Sequence, residues 1–131
     1  MKNTVDAIRH GFGPGVFVFA LGAVLAGSAA AEDVEAGRAL FEDRCQECHG
    51  VRGDGNGPAA EDMYLKPRDF AMAAFKFDTD ADWERGTDVD LANVIRNGAG
   101  TYGGSPVMPA WSDLTEGEVA ALIAFIRSLA G

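Results

Sequence analysis

Five consecutive residues, Cys45-Gln46-Glu47-Cys48-His49, constrain this chain more than any other part of it. The two cysteines are the only ones in the sequence, and a histidine follows the second directly. Cys-x-x-Cys-His is the attachment signature for c-type haem. The two thiols add to the two haem vinyl groups, and the adjoining histidine coordinates the iron through an imidazole nitrogen. The spacing matters because both sulfurs and the imidazole must meet one ring. A haem tied to one turn of chain in this way fills much of a modest core.

Other uses of the same residues lack partners. A thioredoxin-like dithiol needs its Cys-x-x-Cys in a βαβ setting, and no segment here alternates like a strand. A structural zinc site needs four ligands, yet the only other histidine is His10 and no further cysteine exists. A disulfide across two intervening residues closes a very small loop and stabilises little. The Asp54-x-Asn56 pair suggests a calcium loop, but its twelfth position is Leu65, without the bidentate Glu an EF-hand needs.

The second axial ligand must come from elsewhere, with Met63, Met72 and Met108 as candidates. Met108 lies between Pro106 and Pro109 in a stretch that ends at Trp111. A loop stiffened in this way suits a weak thioether ligand, because little entropy is left to lose on binding iron. Met63 and Met72 are better suited to packing. His49 and Met108 are therefore the expected metal ligands, and His/Met ligation raises the reduction potential.

Ahead of the motif, Lys2 and Arg9 supply positive charge, and residues 11–31 carry none. A hydrophobic stretch over 16–26 and the Ala29-Ala30-Ala31 site before Glu32 read as a signal peptide over residues 1–31. The alternative is an uncleaved membrane anchor, since the charge-free run approaches the roughly 20 residues that span a bilayer. Pro14, five glycines and the small-residue tail weaken it. Residues 32–131 then make one domain in the periplasm.

Of 11 basic and 20 acidic side chains, Lys2, Arg9 and Asp6 precede residue 32. That leaves 9 and 19, a formal charge of −10. Such a surface excludes nucleic acid, whose phosphates need clustered Lys and Arg. It suits redox partners with basic docking patches, with steering that weakens as salt rises.

The pattern of the domain is helical throughout, an all-α class. Glu32 and Asp33 begin a helix whose apolar stripe is Ala36, Leu40 and Phe41. Residues 50–57 hold four glycines and form a loop, and Pro58 opens a short helix toward Leu65. Residues 66–86 show no period, though Phe70, Phe75 and Phe77 are apolar enough to be pinned against something buried. Asp88 or Asp90 caps a helix that Asn97-Gly98 ends. Thr115 and Glu118 make a capping box for the last helix, which carries Val119, Leu122, Ile123 and Ile126 at helical spacing.

With His49 and Met108 placed, the mature chain resembles a class I c-type cytochrome, mono-haem and bacterial, throughout its length. The resemblance implies a cytochrome c fold, with N- and C-terminal helices crossing and the haem enclosed by helices and loops. Gly37 and Phe41 look like one side of that crossing, Leu122 and Phe125 like the other. The runs Gly53-Asp54-Gly55-Asn56-Gly57-Pro58, Lys66-Pro67-Arg68-Asp69-Phe70, Phe75-Lys76-Phe77 and Met108-Pro109-Ala110-Trp111 are similar to a bacterial subgroup found alone and within larger respiratory proteins.

In the family, a carbonyl soon after the motif, usually a proline's, contacts the ligand histidine, which makes Pro58 the candidate here. Arg68 and Trp111 are candidates to hydrogen-bond the haem propionates. The implied function is one-electron transfer by one covalent haem c, as a periplasmic carrier between respiratory or dehydrogenase partners, and not an enzyme. The alternatives are a haem subunit fixed in a membrane or dehydrogenase complex and a haem peroxidase or gas sensor. The last needs an open iron position and a polar distal residue, and none is evident.

Overall fold

The computed structural model describes residues 28–131. The expected signal peptide, or anchor, lies outside the described residues except for its last few positions. Among the described residues no helix is long and apolar enough to cross a membrane. Four helices follow in order: α1 (Ser28–Arg44), α2 (Gln46–His49), α3 (Asp88–Asn97) and α4 (Glu116–Ser128). Short 3-10 turns occupy Pro58–Ala60 and Ala99–Tyr102. The described residues contain no strand, so the chain is all-α as its pattern implies.

The first helix begins at Ser28 rather than at Glu32, because the intervening alanines favour helix more than any other residue type. It crosses α4 at close range. A Cβ on Gly37 would lie 2.5 Å from the carbonyl carbon of Ala121, closer still to its oxygen, and 2.9 Å from Phe125 Cβ. Below the crossing the Phe41 ring meets that of Phe125 at 5.1 Å between centroids. Phe41 is wholly buried, and Leu122, Phe125 and Ile126 are nearly so. Burying a side chain of this kind contributes about 1.5–3 kcal/mol, so the crossing is the main source of apolar stabilisation. Leu91 and Ile95 of α3 join the same core.

The last helix starts as its sequence indicates. Thr115 accepts from Glu118 N at its side chain, and Glu118 in return accepts from Thr115 N at 2.8 Å. The third helix differs from expectation. Its N-cap is Thr87, and Asp90 is the third helical residue of a reciprocal box rather than the cap itself. Several acceptors cluster there, and Thr87 is the one with extended backbone ahead of the first turn. The expected helix after Pro58 is also shorter, a single 3-10 turn. Lys66 Nζ donates to the carbonyls of Ala60 and Glu61, which terminates it.

Asp90 does more than cap. It is 1% exposed, and its Oδ1 accepts from Thr79 N and from Thr79 Oγ1 at 2.8 Å. Its Oδ2 accepts from Thr87 N and Oγ1, each at 3.0 Å. Burial alone pushes this carboxyl's pKa up, but the donors from Thr79 and Thr87 outweigh it and hold the value at about 2 against an ordinary 3.8. The stabilisation is therefore full above pH 3.8 and is lost as pH falls toward about 2. Asp90→Asn should cost about 2–4 kcal/mol at neutral pH, because charged hydrogen bonds are lost and an amide N–H₂ faces donors. Denaturant unfolding at pH 7 and pH 3 should show a smaller acid-dependent loss in the variant than in wild type.

Candidate functional site

At the end of α1 the chain bends but keeps its helical hydrogen bonding. Cys45 N donates to Phe41 O at 2.8 Å and His49 N donates to Cys45 O at 2.9 Å. Cys45, Cys48 and His49 therefore share one turn. The cysteines are half-buried free thiols, and His49 is 9% exposed. Burial, with the Cys48 thiol adding to it, pushes the Cys45 thiol up to about 11 from 9.0. A reactive exchange thiol needs its thiolate favoured, and burial acts in the opposite direction at Cys45.

The loop after the motif folds back beneath it. Gly55 N donates to His49 O at 2.8 Å, and Gly57 N donates to Cys48 O at 3.1 Å. A Cβ on Gly57 would lie 2.6 Å from the carbonyl carbon of Glu47 and 2.7 Å from that of Cys48, so this contact requires glycine. The chain then returns under the imidazole, where Phe70 N donates to Gly53 O at 2.8 Å.

His49 Nδ1 lies 3.1 Å from the backbone oxygen of Arg68. The carbonyl that orients the histidine thus belongs to Arg68 and not to Pro58. Packing of Gly57 against Glu47 and Cys48 sets the exposed Pro58 turn beside α2, while segment 67–70 passes below the ring. A carbonyl only accepts, so Nδ1 carries the proton and Nε2 keeps its lone pair. Burial lowers the imidazole pKa, and the Arg68 carbonyl opposes it. The ring is held neutral with one nitrogen free to ligate, the form a metal requires.

The residues around Met108 form a second, braced group. Met108 is half-buried, and its N donates to Ser105 O at 3.3 Å. Trp111 N donates to Ile95 O at 2.9 Å, which pins the loop to α3. The Arg44 guanidinium lies 5.1 Å above the Trp111 ring and donates to Asp113 at 2.9 Å. The residue beside Cys45 is thereby tied to the segment after Met108. Arg68 and Trp111 are both half-buried; Arg68 uses its backbone toward His49, and Trp111 packs against the core beneath Arg44.

Pattern reading missed the role of Arg68 O and the face that Phe70 presents to His49. The Phe70 ring is stacked on the imidazole, with centroids 4.6 Å apart and planes 14° apart. The signal available was the apolar residue itself, in a run without periodicity.

Two thiols and a neutral imidazole with a free Nε2 on one turn, beside an aromatic core, form the donor set that haem c needs. A family profile described as cytochrome C oxidase, cbb3-type, subunit III matches residues 32–126. Among solved structures, the chain is similar to a chain of the reducing HAO-like protein complex of Kuenenia stuttgartiensis. The two are 32% identical with a TM-score of 0.61, over 73% of this chain and 42% of that one. The chain therefore spans less than half the length of that relative. With 95 of its residues matched to the profile and the haem motif on a buried turn, the chain belongs to the cbb3-type cytochrome c oxidase subunit III family and is a c-type cytochrome.

Proposed function

We propose that residues 32–131 form a one-electron relay with a single haem c, held through Cys45 and Cys48 and ligated by His49 Nε2 and Met108. The observation that carries this reading is the Nδ1 contact of His49 to Arg68 O, which leaves the other ring nitrogen for iron. The haem, when bound, supplies the one-electron couple. The chain's part is to orient the imidazole, offer a thioether from a braced loop, and fill both axial positions so that no substrate binds. Arg68 and Trp111 side chains are proposed to donate to the propionates. The acidic domain, formal charge −10, suits brief docking with basic redox partners in the periplasm after export of the chain.

Met108→Ala tests the ligand assignment. The ferric spectrum should lose its methionine-to-iron band, and the ferrous protein should bind carbon monoxide rapidly. The potential should fall by on the order of 0.1–0.3 V, within the roughly 0.8 V that axial ligands span. An unchanged spectrum in the variant assigns the sixth position to another residue, and rapid carbon monoxide binding by wild type favours a sensor or peroxidase.

A second reading is a haem subunit within a larger assembly. It draws on the solved relative, a longer chain from a protein complex. Intact mass and detergent dependence of the purified protein separate the two, since a retained N-terminus marks a tethered subunit.

A further inference from the structure

We propose that Phe70 is a positioning residue for the axial imidazole: with the Arg68 carbonyl it clamps His49 in a single orientation and so tunes the redox couple. This rests on the reading of His49 as an iron ligand.

An imidazole bound at Nε2 keeps one soft motion, rotation of its plane about the bond to the metal. The hydrogen bond from Nδ1 to Arg68 O resists this rotation at one edge of the ring, because the N–H lies in the ring plane and off the axis of the bond to the metal. Phe70 adds a second restraint, across the face of the ring. Its ring is stacked face to face on the imidazole at 4.6 Å and 14°. Phe41 also approaches, at 6.4 Å and 55°, and leaves the face uncovered.

The clamp is itself anchored. Phe70 is 8% exposed and its N donates to Gly53 O. The Phe70 ring also meets Phe41 edge-on at 6.2 Å. The backbone oxygen of Pro67 lies 2.6 Å from where a Cβ on Gly55 would be, so the strand of chain leading to Arg68 lies hard against the loop under the motif. Both restraints on His49 therefore come from one three-residue segment, Arg68–Phe70, held from two sides.

The consequence is electronic. With haem bound, the angle of the imidazole plane would contribute to the splitting of the iron d orbitals. The Nδ1 donation to Arg68 O raises the basicity of Nε2, which favours ferric iron. A flat partner that keeps the ring in plane keeps that hydrogen bond short. Losing it loosens both.

The test uses the full haem-loaded protein. In reduced wild type, nuclear Overhauser contacts should connect the ring protons of His49 and Phe70. Phe70→Leu keeps apolar volume but removes the flat face. It should retain covalent haem, change the principal g values of the ferric electron paramagnetic resonance spectrum, and raise the midpoint potential. Phe41→Leu should lower the melting temperature while leaving the g values as in wild type.

Ring contacts missing in wild type overturn the proposal, and this arm decides the matter if Phe70→Leu fails to mature. So do wild-type g values and potential in Phe70→Leu, or an equal g shift in Phe41→Leu. Wild-type protein without covalent haem overturns the functional reading together with this one. Haem present with His/Met ligation, and the Phe70 arms failing, overturns the clamp alone.

Discussion

A Cys45→Ala, Cys48→Ala double variant is expected to keep no haem after denaturation and acid–acetone extraction, whereas the wild-type chain keeps all of it. Both thiols sit on the turn that ends in His49, so each can reach one edge of the same macrocycle. With thioethers formed, the haem is an intramolecular ligand at high effective concentration, and the proposed axial ligands His49 and Met108 need only orient it. Without them it is a free ligand, and native-state stabilisation follows its concentration. The single variants should retain haem through one thioether, with a shifted reduced spectrum. Haem stain on a denaturing gel is the direct readout, and a stained double variant would refute the attachment site.

The second large effect belongs to Gly37. Gly37→Ala adds a methyl group where the Ala121 carbonyl carbon is 2.5 Å and Phe125 Cβ 2.9 Å away. Backbone cannot yield as the tip of a flexible side chain can, so α1 must move off α4. Phe41, wholly buried, and Leu122, 1% exposed, then lose their close packing. Alanine gains about 1 kcal/mol of helix propensity over glycine, but overpacking of this kind costs about 1–3 kcal/mol and sometimes more. With helix displacement added, the net loss should be about 2–4 kcal/mol. For a domain of this size that lowers the melting temperature by roughly 10–20 °C.

Gly117→Ala supplies the contrast. It lies in the first turn of α4, and a Cβ there would meet nothing within 4 Å. The same chemical change should raise the melting temperature by a few degrees, since only propensity acts. Opposite signs from one substitution type would place the effect in the helix crossing. Equal signs would remove the crossing as its cause.

What could be read in the sequence was local or covalent in origin. Thr115 and Glu118 act within one helical turn, so their box was legible without any tertiary knowledge. Gly37 was legible because a glycine amid good helix formers marks a close approach, and the resemblance to class I cytochromes set it and Phe41 against Leu122 and Phe125. The Cys45–His49 turn was legible because its chemistry demands that spacing.

Contacts across the aperiodic run 66–86 were not. Arg68 reaches His49 from 19 positions away by a backbone atom, and no side-chain identity encodes a carbonyl. Pro58 was the nearer proline, yet close packing of Gly57 on α2 steers its turn elsewhere. Thr87 was hidden among competing acceptors, and only the backbone entering α3 selects it.

The Gly37 crossing also fixes an order of events. Its two halves stand more than half the chain apart in sequence, and closing so long a loop is entropically costly and slow. The interface cannot exist until Ala121 and Phe125 have been synthesised. Until then the chain emerges N-terminus first with Cys45, Cys48 and His49 already present and Phe41 still uncovered. An unfinished chain therefore offers its thiols in open peptide, before the last helix arrives to shut the core around them.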